Sequence, residues 1–189
     1  LGDPFLLNPE GPLSADRSAH ADPLAPRHDS DLDAWLAPFV MAAINTRVVR
    51  RSVALTPPRG SPYAPGMVYQ EYLRTGRGPL GAALANGRAD GVGIGVVGMR
   101  SGVNGSFRCE LIGESENGTQ VRGRIAGRGD PGNRATTLFV CEAAMALAGD
   151  VRKLPGGVKR GGVLTPATAL GLPYATRLAA AGFTIEPLP

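Results

Sequence analysis

Hydrophobic and polar positions alternate most clearly in two runs, "SFRCELIGES" (106–115) and "TQVRGRIAG" (119–127), joined at "ENG". Period-two alternation on either side of an Asn-Gly pair predicts a β-hairpin. Phe107, Cys109 and Leu111 then share one face with Val121 and Ile125. Arg108 and Glu110 share the other with Arg122 and Arg124, where cross-strand ion pairs are expected. A different period governs "SDLDAWLAPFVMAAINTRVVRRSVAL" (30–55), in which Trp35, Phe39, Ala42 and Ala43 recur at helical spacing, as do Ile44 and Val48. A long helix to about Val53 is predicted, with Ser30 and Asp33 as a capping-box variant and a kink or later start at Pro38.

Further along, "MVYQEYL" (67–73) alternates and predicts a short strand. "GPLGAALANGRADGVGIGVVGM" (78–99) is weakly helical at first and then glycine-rich. "RGDPGNR" predicts a tight turn into a helix over "ATTLFVCEAAMALAG" (135–149), with Leu138, Cys141, Glu142 and Met145 on one side and Gly149 as its stop. The chain ends in a short helix from Leu172 to Ala181, capped by Gly182, and a strand at "FTIEP". Strands and helices do not alternate as βαβ units. The expected fold class is therefore α+β, a mixed and largely antiparallel sheet with helices packed on it. Residues 1–30, rich in Pro, Asp, Ser and Ala without a hydrophobic period, read as a linker or extended segment ahead of a 31–189 domain.

"GIGVVG" (93–98) spells G-x-G-x-x-G, with Glu114 about 20 residues on. A working dinucleotide site needs a strand before the first glycine and a helix opening at the last. "LANGRADGV" lacks strand character, and "MRSGVNGS" cannot sustain a helix. The motif reads instead as a glycine-rich connection or a poorly formed helix end.

The 189 residues carry a formal charge of +4, and lysine stands only at 153 and 159. An arginine bias beside abundant Gly, Pro and Ala reflects codon choice, and no nucleic-acid motif accompanies it, so nucleic-acid binding is not expected. No stretch approaches the ~18 apolar residues of a membrane span. Cys109 and Cys141 stand apart, with no histidine nearby, which argues against zinc. They can form a disulfide, although two buried free thiols fit better. His20 and His28 both fall in the polar N-terminal stretch, leaving the folded body without histidine.

Arg47, Arg50 and Arg51 lie at i, i+3 and i+4, following Asn45 and Thr46. They can receive an acidic group, or form a solvated face, the reading the bias favours. Asp130 in "GDPGNR" is either a helix cap or part of an anion-binding turn with Gly132. Thr165 precedes Pro166 and is held extended by it. Tyr69, Tyr72 and Tyr174 are candidate proton donors, each more ordinarily a core or rim residue.

Three blocks go further: "WLAPFVMAAINTRVVRRS", "GRGDPGNRATT" and "GGVLTPATALGLPYATRLAAAGFTIE". With them the chain, from about Asp3 to Glu186, resembles the C-terminal half of saccharopine dehydrogenase-like oxidoreductases, in the branch of trans-acting enoyl reductases. It departs from that pattern at Val53 and at Asn133–Arg134. The resemblance implies an upstream Rossmann domain that carries most of the contacts to NADPH or NADH and is absent from this chain. It also implies a C-terminal α+β domain that covers the nicotinamide side and shapes the substrate pocket. The substrate class implied is an enoyl thioester of a lipid or polyketide chain borne by an acyl carrier. The setting implied is a cytoplasmic enzyme, or one peripheral to a membrane, that can pair as a homodimer. Asn45, Arg47, Asp130, Gly132 and Thr165 are the residues expected nearest the substrate. The alternative is a non-catalytic module that holds a lipid or a carrier protein.

Overall fold

The computed structural model describes residues 2–9, 17–57, 63, 66–75, 78, 96–100, 105–115 and 117–189, the stretch 96–100 by its backbone. Seven strands form one sheet in chain order: β1 (Arg27–Asp29), β2 (Ala34–Pro38), β3 (Tyr72–Thr75), β4 (Val96–Arg100), β5 (Ser106–Glu114), β6 (Gln120–Arg128) and β7 (Thr184–Leu188). Every neighbouring pair is antiparallel except β3 and β4, which meet in parallel at Tyr72 and Val96. The helices are α1 (Ala42–Ala54), α2 (Arg134–Gly149), α3 (Pro166–Ala169) and α4 (Gly171–Ala180). The architecture is α+β with a largely antiparallel sheet, as the sequence pattern predicts.

The hairpin forms with the predicted residues on each face. Phe107 pairs with Gly127, Cys109 with Ile125 and Glu110 with Arg124, and Gly118 takes a left-handed φ of 79° in the turn. The charged face departs from expectation. Arg108 pairs with Glu110 on its own strand. Arg124 reaches across to Glu186 on β7 at 3.1 Å.

The long helix predicted from residue 30 is the largest correction. Residues 30–33 are the turn of a β1–β2 hairpin, with Asp33 at φ 43° and Leu32 N donating to Asp29 Oδ1 at 3.2 Å. Residues 34–38 are strand, and the helix starts at Ala42. The reason is burial on both faces. Ala37 packs with Phe39, Ala42 and Leu73, against Trp35, while Leu36 packs with Tyr72 and Leu32. A strand buried on both sides loses its alternation, and its apolar run then mimics helical spacing. Pro38, at its end, opposes a helix that would run back through residues 34–37.

Val96–Arg100 is likewise a strand rather than a helix end, with Gly98 opposite Arg108. Residues 79–95, including the weakly helical stretch and the first glycines of "GIGVVG", lie outside the described residues. β3 begins at Tyr72, later than the alternation of "MVYQEYL" predicts.

The sheet end at β5–β7 is covered by α2 and α4. Phe107, Ala135, Leu178 and Phe183 form the buried centre, flanked by Ile125, Leu138, Phe139 and Tyr174. Phe139 stacks on Phe183 at 4.6 Å between ring centres, and Phe107 meets both rings at 5.9 Å. The inner face of α2 follows Ala135, Leu138, Phe139, Ala143 and Ala146. Cys141 and Met145, placed with Leu138 by the sequence, face outward instead. Cys141 is therefore an exposed free thiol, not a buried one, and Cys109 is half-buried.

Ahead of residue 31, the described stretches engage the body. His20 is buried and its ring sits 4.8 Å from Phe5. His28 lies in β1 with an edge contact to Trp35. Both histidines thus belong to the folded body, contrary to expectation. No helix among the described residues is long and apolar enough to cross a membrane.

Candidate functional site

Helix α1 turns a polar stripe inward. Ala42, Thr46, Arg47, Arg50 and Ser52 are buried while Ile44 is exposed, so its inner face is recognisable only by what it meets. Thr46 Oγ1 lies 2.7 Å from the Ala42 carbonyl and 3.1 Å from Asp22 Oδ1, and accepts from Arg47 at 2.9 Å. Arg47 forms an ion pair with Asp22. Arg50 donates to the carbonyls of Pro4 at 3.0 Å and Tyr69 at 2.9 Å. Burial pulls the Arg50 guanidinium below its usual range, and Asp22 opposes that pull. The arginine face expected to be solvated is therefore interior at 47 and 50, each 3% exposed. Arg51 alone sits near the surface, bound to the carbonyls of Leu7 and Val163.

Beside this stripe lies a carboxyl group that sequence reasoning did not single out. Glu71, 6% exposed just before β3, accepts from Asn45 Nδ2 on Oε2 and from the Tyr69 hydroxyl on Oε1, both at 2.9 Å. Burial pushes its pKa above the usual carboxylate range, outweighing the two hydrogen bonds that favour the charged form. The Tyr69 hydroxyl is pushed up as well, by burial first and by Glu71 next. Cys109 is close enough to feel the same charge. Its thiol is pushed up to about 12, chiefly by burial, which makes it a poor nucleophile near neutrality. The cluster is equipped to hold a proton and to fix α1 against β3.

The pH dependence of this site has a definite sign. The folded pKa of Glu71 lies above the unfolded one, so the folded chain keeps the proton longer as pH rises. Its stabilising contribution is present below the unfolded value and is lost as pH climbs through the raised folded one. Glu71→Gln preserves the contacts if Asn45 turns its amide to accept from the new NH₂ group. The variant should gain in melting temperature relative to the parent between about pH 4 and pH 8, the window above the ordinary carboxylate range. Thermal melts across that window check it. A constant difference would mean that Glu71 does not titrate there.

Other expected residues stand apart from this cluster. Thr165 is buried at the start of α3, with φ −90° and ψ 160° ahead of Pro166. It forms a capping box with Thr168 and sits 2.7 Å from Ser52 Oγ, which ties it to the end of α1. Asp130 and Gly132 lie in the turn before α2. The N-cap position there is Asn133, whose side chain makes no cap bond. Asp130 instead closes the turn by accepting from Gly132 N at 2.7 Å. The structure thus groups Asn45, Arg47 and Thr165 along α1 and leaves Asp130 and Gly132 at α2. Tyr72 donates to Gln70 at 2.6 Å and Tyr174 to the Phe139 carbonyl at 2.8 Å. Only Tyr69, among the three tyrosines, is hydrogen-bonded to an ionisable side chain.

No family model and no solved structure matches the chain. A protein from two strains of Mycobacterium tuberculosis, provisionally named a trans-acting enoyl reductase, is 31% identical over a 219-residue alignment. The alignment takes in 98% of this chain and 50% of that protein. A Mycobacterium ulcerans protein named trans-acting enoyl reductase is 28% identical, over 96% of this chain and 50% of its own length. The chain spans about half the length of the curated relatives it matches. Along nearly all of its own length, this chain is similar to proteins named as trans-acting enoyl reductases.

Proposed function

We propose that the chain is the substrate-side part of an enoyl reductase of the saccharopine dehydrogenase-like kind. The observation that supports this reading most is the match to proteins of that name over 98% of the chain. The G-x-G-x-x-G stretch lacks the helix that a dinucleotide fingerprint opens at its last glycine. Gly98, where the fingerprint would open a helix, lies within β4 and pairs with Arg108. The reading therefore puts NADPH or NADH mainly on an upstream Rossmann domain, in a cytoplasmic enzyme.

The substrate class is an enoyl thioester of a lipid or polyketide chain on an acyl carrier. The chain's own contribution is positional. Arg47, closed by Asp22, holds α1 to the N-terminal segment, and Ser52 with Thr165 holds its other end to α3. Asn45, Glu71 and Tyr69 keep a proton-bearing polar group in place between them.

The test compares the whole natural protein with the 189-residue chain, using NADPH and a crotonyl-pantetheine thioester. The whole protein is expected to oxidise NADPH only when the thioester is present, and the chain alone to give no turnover. Turnover by the chain alone would refute the division of labour. A whole protein inert toward enoyl thioesters of short and long chains would refute the reaction class.

A further inference from the structure

A depression of about 880 Å³ opens where the end of β6 meets the start of α2 and the turn into β7. Its volume falls in the range of small-molecule sites. The lining divides by chemistry. Phe107, Leu138 and Phe183 supply an apolar wall, with both phenylalanines buried, while Arg128 and Arg134 are exposed at its edge. Neither arginine side chain has a hydrogen-bond or ion-pair partner among the described residues. Arg47, Arg108, Arg124 and Arg177 each have a carboxylate.

One of the two charges sits in a place that disfavours it. Arg134 is the first residue of α2, and no acidic side chain stands in that helix's first turn. The helix dipole makes this the positive end, so an uncompensated cation there is destabilising. The position of Arg134 is nonetheless built in. A Cβ on Gly129 would come within 3.2 Å of the Arg134 Cγ and Cδ atoms, so the bare backbone of Gly129, at φ 106°, lets the arginine stem lie across it. Charge without a partner beside an aromatic wall recognises a ligand with both characters.

We propose that this depression binds an amphiphile with an anionic head group, carboxylate or phosphate, and a short apolar tail. The arginines hold the head and the phenylalanine–leucine wall takes the tail. The site shares no residue with the Glu71 cluster, and it stands whether or not the enoyl reductase reading does.

Calorimetric titration of the chain with octyl phosphate, octanoate, octanol and inorganic phosphate tests it. Either amphiphilic anion should bind more tightly than octanol and inorganic phosphate, and the tighter of the two anions identifies the head group. The double variant Arg128→Gln with Arg134→Gln changes only exposed side chains and should weaken the anion roughly tenfold. Thr184→Trp, which fills the depression without altering charge, should abolish binding, with circular dichroism confirming that the fold is intact. Equal affinity for octanol, equal affinity for bare phosphate, or undiminished binding in either variant would overturn the proposal.

Discussion

Gly127→Val is expected to destabilise the fold by about 3 kcal/mol, the upper part of the range for overpacked cores. A Cβ at position 127 would lie 2.4 Å from Phe183 Cδ1 and 2.9 Å from Phe107 Cε1. These atoms are not the free ends of flexible chains. Both rings are buried, and each is in contact with the ring of Phe139. Relief requires the whole aromatic cluster to shift between β6 and the helices. Even alanine should cost about 2 kcal/mol on the same ground. Gly123, four residues back on the same strand, is the control. A Cβ there meets only the Glu186 carbonyl at 3.5 Å, an ordinary contact, and Gly123→Ala should change stability by less than about 0.5 kcal/mol. Denaturant midpoints of the three variants decide it. A Gly127 variant as stable as the Gly123 control would mean that the rings yield.

Asp22→Ala is the second large effect. Asp22 closes the ion pair of Arg47 and also lies against the Thr46 hydroxyl. Removing it takes the Asp22 carboxylate away from a buried guanidinium, for which about 3 kcal/mol is expected. The loss belongs chiefly to the buried charge that has lost this carboxylate. Adding Arg47→Met to the same chain should therefore recover most of it, since a methionine of similar reach needs no partner. Urea unfolding of the two single variants and the double variant forms a cycle. Additive losses would show that the pair is not the unit of stability.

The parts of this fold that were legible in the sequence are those where one side of an element meets water. The β5–β6 hairpin carries Arg108, Glu110, Arg122 and Arg124 on one face, so its alternation survives; the Asn-Gly pair marks the turn, while the register is the one closed by Ser115 and Thr119 rather than that of a two-residue loop. The closing helix and strand were readable for a similar reason, with Gly182 at φ 95° marking the boundary. β2 was not readable, because Leu36 and Ala37 are both buried, on opposite sides of the sheet.

The candidate site was hidden by the opposite rule. Arg47 and Arg50 look like surface residues by composition, and their burial depends on Asp22 and on the Pro4 and Tyr69 carbonyls, partners 19 to 46 residues away in sequence. Glu71 sits in "YQEY", where local pattern offers no sign that Asn45, 26 positions earlier, will meet it.

The order of the strands carries one last consequence. The outermost positions of the sheet belong to β1 and β7. β1 is only three residues long, and its Arg27 and Asp29 pair with each other at 3.1 Å. β7 carries Pro187, which offers no amide proton to a neighbour. Short length, charge and proline are the means by which open sheet margins resist adding strands from other molecules. Among the described residues, both rims of this sheet thus carry features that disfavour the addition of a strand from a second copy.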